Sequence, residues 1–150
     1  MHLREFFSDD AINLSLQGTG KDELLSELVS LLKTDARSGD ALLKLLRRRE
    51  ALGSTGVGRG IAIPHCRSLM VGQLRLAFGR QVAGVDYRAI DDRPVHHFFL
   101  IVAPPVEVSN HYLPVLGKIA QFAKEPDVPE RLSQITSAEE FFALLKEKGV

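Results

Sequence analysis

Val95 to Val102, VHHFFLIV, is a near-continuous apolar run stopped by Pro94 on one side and Pro104-Pro105 on the other. A short apolar stretch bounded by prolines reads as a strand. A second strand follows from the alternation of Leu74 to Val82. A third follows from Ala11 to Leu16, which ends at Gly18, and a fourth from Ile61-Ala62-Ile63. Between and after these lie helical stripes. Leucines at 24, 25, 28, 31 and 32 mark a helix over Lys21–Lys33, with Thr19 as a candidate cap. A second helix is expected after Ser38-Gly39-Asp40, with Leu42, Leu43, Leu45 and Leu46 inward and Arg47 to Arg49 near its end. A third starts near His111, with Leu113, Leu116, Ile119, Ala120 and Ala123 on one side. A capping box at Ser137–Glu140 opens a fourth. The expected fold is α/β: a mixed sheet of four to five strands flanked by helices on both faces, an α/β/α sandwich. The 150 residues fit one domain, with no repeat and no linker to divide them.

Chemistry concentrates in residues 53–67, GSTGVGRGIAIPHCR. Four glycines in eight residues let the backbone turn and offer amide groups to an anion. Pro64 has no N–H to donate and ends the strand. His65 therefore stands where a strand meets a loop. If Ile63 to Arg67 stays extended, His65 and Arg67 share a face and Cys66 points away. A neutral imidazole beside a guanidinium is a competent nucleophile near neutral pH. Phosphoryl transfer asks mainly for positioning and positive charge around the equatorial oxygens.

The other candidates carry weaker signals. His111 follows Ser109-Asn110, so it lies at a helix start among unpaired N–H groups; an anion site and a plain exposed residue are equally supported there. Arg49 ends a run of three arginines, a pattern that usually marks a solvated helix face, and position alone does not single it out. Ser54 and Thr55 could donate hydroxyls to a phosphate, although in glycine loops such residues more often form local turns. His96 and His97 are neighbours on a strand, so they face opposite ways and suit structural roles. Cys66 has no base on its face and is a weak nucleophile.

Several function classes drop out. Nineteen basic residues balance nineteen acidic ones, so no global field favours nucleic acid or anionic lipid. No apolar stretch approaches the roughly 18 residues of a membrane span, and no direct membrane insertion is expected. Gly53 and Gly58 have Walker spacing, but Arg59-Gly60 stands where Lys and Ser/Thr belong. Ile61 stands at the third glycine of a dinucleotide fingerprint. No nucleotide, metal or other cofactor is expected. One cysteine excludes an internal disulfide. Met1–Glu5 lacks the basic start and apolar run of a secretory signal, so a cytoplasmic location is expected.

Arg49-Glu50, Gly53 to Gly58, Gly60 to His65, Asp91 to Val95 and His111-Tyr112-Leu113 together resemble the enzyme IIA domains of the fructose/mannitol type in the bacterial phosphoenolpyruvate-dependent phosphotransferase system. The similarity spans nearly the whole chain and is strongest to the nitrogen-regulatory member. Cys66 and Asp92 replace glycines usual there, and Pro114 is unusual at that helix start. The resemblance implies His65 as the phosphorylated residue, with Arg49 and His111 in the phosphate pocket and an electrostatic role for Arg67. It implies an HPr-like phosphocarrier as donor. The output is then either a nitrogen-type signal to regulatory protein targets or transfer to an enzyme IIB domain of a sugar permease. A hydrolase using His65 as base is the weaker alternative, since no nucleophile with an orienting partner accompanies it.

Overall fold

The computed structural model describes residues 1–150. A short 3-10 turn, Leu3–Phe6, leads into β1 (Phe7–Asn13); α1 (Lys21–Ser30) and α2 (Ala36–Ala51) follow. Three short strands come next, β2 (Gly56–Gly58), β3 (Ile61–Ala62) and β4 (His65–Arg67). The long strands β5 (Arg75–Val85) and β6 (Val95–Ala103) precede α3 (Tyr112–Lys124), α4 (Val128–Gln134) and α5 (Ala138–Glu147).

The sheet has six strands in the order β1-β5-β6-β3-β2, with β4 also on β6. β5 and β6 are antiparallel; β1 runs parallel to β5, and β3 and β4 run parallel to β6. β3 and β4 are two segments of one line along β6, pairing with His97-Phe98 and with Ile101–Ala103. The break falls at Ile63-Pro64. The Pro64 carbonyl still accepts from Ile101 N–H at 3.0 Å, but its missing donor interrupts the ladder.

Both faces of the sheet are covered, which is why β6 is apolar almost throughout. On one face Phe78, Phe99 and Ile101 pack with α3, α4 and α5 through Val115, Phe122, Leu132 and Phe141. On the other, Phe98, Leu100 and Val102 pack with Leu24, Leu28, Leu42 and Leu46 of α1 and α2. The layered α/β/α expectation matches. The strand count is higher than expected because β2 and β4, of three residues each, are too short to leave a periodic signal.

Several boundaries differ from expectation for local reasons. β1 begins at Phe7 rather than Ala11, since its register on β5 shifts between Phe7 and Ile12, and exposed Asp9 and Asp10 break the alternation. α1 starts after Gly20, and the Thr19 side chain reaches Glu23 instead of capping. α2 starts at Ala36 because Asp35 caps it, accepting from Ser38 N–H at 2.8 Å. Ser137 caps α5 as expected, accepting from Glu140 N–H at 3.1 Å. Leu113 is exposed rather than inward, and α4 was not expected at all. Pro114 falls in the first turn of α3, where an N–H has no helical partner to lose.

Candidate functional site

His65 opens β4, opposite Ile101, and is half-buried. Alternation along this strand turns Cys66 into the core and leaves His65 and Arg67 half-exposed on the other side, as the extended reading anticipates. The Nδ1 atom of His65 lies 2.7 Å from the Ile63 carbonyl. Only a protonated Nδ1 can make that bond in the neutral ring, so the tautomer is set. Nε2 then keeps its lone pair; it has no hydrogen-bond partner and is open to solvent. Burial holds the imidazole pKa below its ordinary value; the Ile63 bond opposes this, the Arg49 charge adds to it, and Glu50 works against it. His65 therefore stays neutral and nucleophilic at physiological pH.

Arg49 comes from the last turn of α2. Its Nη1 donates to the Gly53 carbonyl at 2.8 Å, which ties the guanidinium to the glycine loop. Arg67 donates from Nη1 to the Pro104 carbonyl at 2.8 Å and stacks on the Tyr112 ring at 4.3 Å. That ring is itself 5.9 Å from the His65 ring. Tyr112, the first residue of α3, is the aromatic wall of the site, and its hydroxyl pKa is pushed up to about 12, chiefly by burial. The sequence places it in the His111-Tyr112-Leu113 landmark but gives it no role of its own.

His111 itself occupies the cap position of α3, exposed, with its ring 5.6 Å from that of Phe6. It lines a cleft of about 890 Å³ formed by residues 5–8, 72–75 and 106–111. The side chain that α3 brings against His65 is thus Tyr112. Cys66 is buried and its thiol is pushed up to about 12 by burial, so it is inert as a thiolate. His97 is buried within the core and His96 half-exposed on the opposite side of β6, in keeping with structural roles.

The glycine loop differs from the anion cradle expected of it. Gly58 and Gly60, with φ of 96° and 78°, flank Arg59 at 59° and turn β2 back onto β3 as a hairpin. Four of its amides already have acceptors: Gly53 N–H donates to the Glu50 carbonyl, Thr55 N–H to the Glu50 side chain, Gly56 N–H to Ser54 Oγ and Arg59 N–H to Asp91. Ser54 donates to the Tyr87 carbonyl at 2.7 Å. Thr55 is buried and donates its hydroxyl to Glu50. Both hydroxyls support the loop from inside.

The site therefore offers one free imidazole nitrogen, two arginines with spare donors and an aromatic wall, at the edge of a sheet. No helix is long and apolar enough to cross a membrane. Residues 5–148 match the family described as phosphoenolpyruvate-dependent sugar phosphotransferase system, EIIA 2. The chain is 33% identical to a nitrogen regulatory protein of Pseudomonas aeruginosa, over 88% of this chain and 86% of that one. It is 28% identical to the fructose-specific EIIABC component of Bacillus subtilis, over 98% of this chain but only 23% of that longer protein. The crystal structure of the nitrogen regulatory protein IIA-Ntr from Neisseria meningitidis superimposes with a TM-score of 0.84 at 34% identity, covering 94% of this chain and 97% of that one. The chain belongs to the EIIA type 2 family of this phosphotransferase system and is a phosphotransferase component of its phosphohistidine relay.

Proposed function

We propose that His65 is the phosphoryl acceptor and that its Nε2 is the attacking atom. The observation that carries this reading is the Nδ1–Ile63 hydrogen bond, which leaves one solvent-open lone pair on a ring that burial keeps neutral. In the transfer, the Nε2 lone pair forms the new N–P bond. The N–P bond of the donor phosphohistidine breaks, and the donor imidazole leaves with that electron pair. The proton on Nδ1 stays in place throughout. The unpaired donors of Arg49 and Arg67 suit the equatorial oxygens. His111 joins the pocket through the family resemblance, supported here by its position one residue before Tyr112.

The donor is an HPr-like phosphocarrier protein. Three exposed leucines support a protein docking face: Leu52, Leu69 and Leu113 are 86%, 87% and 69% exposed, and follow Arg49, Arg67 and Tyr112 within three residues. Such a small apolar rim suits a brief encounter between relay proteins. The output is a nitrogen-type regulatory signal carried by phosphorylation state, in the cytoplasm, with the chain acting as one IIA module. Identities of 33% and 34% to nitrogen-regulatory proteins support this. Transfer to an enzyme IIB domain is the second reading, favoured by the similarity to a fructose-specific EIIABC component.

Incubation with phosphoenolpyruvate, enzyme I and an HPr-like carrier should yield one acid-labile, alkali-stable phosphate per chain. His65→Ala should abolish it, and Arg49→Gln should slow its formation. Labelling that persists in His65→Ala overturns the assignment. Efficient passage of the phosphate to a IIB domain would select the sugar-transport output over the regulatory one.

A further inference from the structure

Directly behind His65 and Arg49 lies a buried carboxylate that the transfer step does not use. Glu50 follows Arg49 on α2, and the turn of the helix sends it inward while Arg49 stays half-exposed. Its Oε1 accepts from Thr55 N–H at 3.1 Å and from Lys21 Nζ at 3.2 Å, and its Oε2 accepts from the Thr55 hydroxyl. Lys21 reaches in from the start of α1 and lies 4.2 Å over the Tyr87 ring.

Two lines of hydrogen bonds run outward from Glu50, one from its carboxylate and one from its main-chain carbonyl. In the first, the Thr55 carbonyl accepts from Ile63 N–H at 3.0 Å, and the Ile63 carbonyl holds His65 Nδ1 at 2.7 Å. In the second, the Glu50 carbonyl accepts from Gly53 N–H at 3.1 Å, and the Gly53 carbonyl holds Arg49 Nη1 at 2.8 Å. The acceptor ring and its cation are thus both hung from one residue.

Packing alone does not call for a charge at this position, because a buried ion is costly unless fully paired. The charge does have a consequence at His65. The charged and titratable groups facing that ring are Arg49 and Glu50 from α2, Tyr112 from α3 and, across Tyr112, Arg67 from β4 itself. Arg49 favours a phosphorylated ring. Glu50 is the one anion among them. Phosphorylation adds up to about two negative charges, which a nearby buried carboxylate repels. A relay component must release its phosphate as well as take it, so a balance between the two suits the task.

We propose that Glu50 is a positioning residue: its carboxylate holds His65 in place through Thr55, and its main-chain carbonyl holds Arg49 through Gly53. Its buried charge, tempered by Lys21, keeps the phosphohistidine ready to pass its phosphoryl group on. The inference rests on the reading of His65 as acceptor.

Opposite substitutions test it. Glu50→Gln keeps an acceptor for Thr55 but removes the anion, whereas Lys21→Met leaves the anion less screened. In the full chain, His65 is titrated by NMR, and its phosphorylated fraction is measured at equilibrium with phosphorylated HPr-like carrier. Glu50→Gln should lower the His65 pKa and shift the equilibrium toward phosphorylated chain by on the order of three- to tenfold; Lys21→Met should move both in the opposite sense. Mere loosening of the site would move the two variants the same way. If Glu50→Gln fails to fold, Lys21→Met alone must raise the pKa and lower the phosphorylated fraction, or the inference fails. A wild-type chain that takes no phosphate removes the underlying reading and this inference with it. A wild-type chain that is phosphorylated, with variants that shift together or not at all, overturns this inference alone.

Discussion

Replacing Thr55 by valine tests whether the glycine loop is held from inside. Valine matches threonine in shape and keeps the buried methyl, so the change removes one hydroxyl and little else. That hydroxyl donates to a buried carboxylate and lies 3.5 Å from the Tyr87 hydroxyl. A hydrogen bond to a charged acceptor contributes roughly 1.5–3 kcal/mol, and Thr55 is only 4% exposed, so water cannot replace it. For a chain of this length, about 2–4 °C of melting temperature accompanies each kcal/mol, so Thr55→Val should lower Tm by about 3–12 °C. Thr55→Ser keeps the hydroxyl and loses the methyl, and should cost only about 1 kcal/mol. Urea unfolding followed by far-UV circular dichroism, extrapolated linearly to water, gives both values. If Thr55→Val lies within about 0.5 kcal/mol of wild type yet slows phosphoryl acceptance, the hydroxyl serves the phosphate and the internal support argued here is refuted.

Three further outcomes follow from the same geometry. His97 is buried, with Nδ1 unpartnered and Nε2 3.3 Å from Ser133 Oγ, and burial with its His96 and Arg80 neighbours depresses its pKa to about 4. The unfolded chain therefore binds a proton that the native state refuses between pH 6.5 and 4: stability is complete above pH 6.5 and falls by at most about 3 kcal/mol as the pH drops through that window. Urea midpoints across it should show the slope, and His97→Leu should flatten it. For His65, whose pKa is lowered by burial and, secondarily, by Arg49, the initial rate of phosphoryl acceptance should be flat above pH 6.5 and fall only below it. A half-maximal rate at or above pH 7 would contradict the burial argument. At Gly56, an added Cβ would lie 2.7 Å from Ala89 Cβ and 2.8 Å from Ala89 Cα, so Gly56→Ala should cost about 1–3 kcal/mol by urea unfolding, and an unchanged midpoint would show that the 86–90 loop yields freely.

The long apolar strands, the leucine stripes of α1 and α2 and the Ser137 cap were legible because each is a local pattern with a fixed period or spacing. The same holds for the facing of His65, Cys66 and Arg67: once the segment is extended, alternation follows from backbone geometry. Arg49 needed the family resemblance, because an arginine closing RRR looks like any solvated cation until the Gly53 carbonyl is seen to hold it.

By itself, the sequence determined the long strands, four of the five helices and the layered class, since period, caps and proline punctuation act over a few residues. Tertiary structure alone decided that β3 and β4 share one line along β6, that Tyr112 is the aromatic wall, and that Glu50 meets Lys21 across 29 positions. Contacts between residues far apart in the chain exist only once the sheet and helices have docked. No local rule announces which carboxylate will be drawn inside or which cation will follow it.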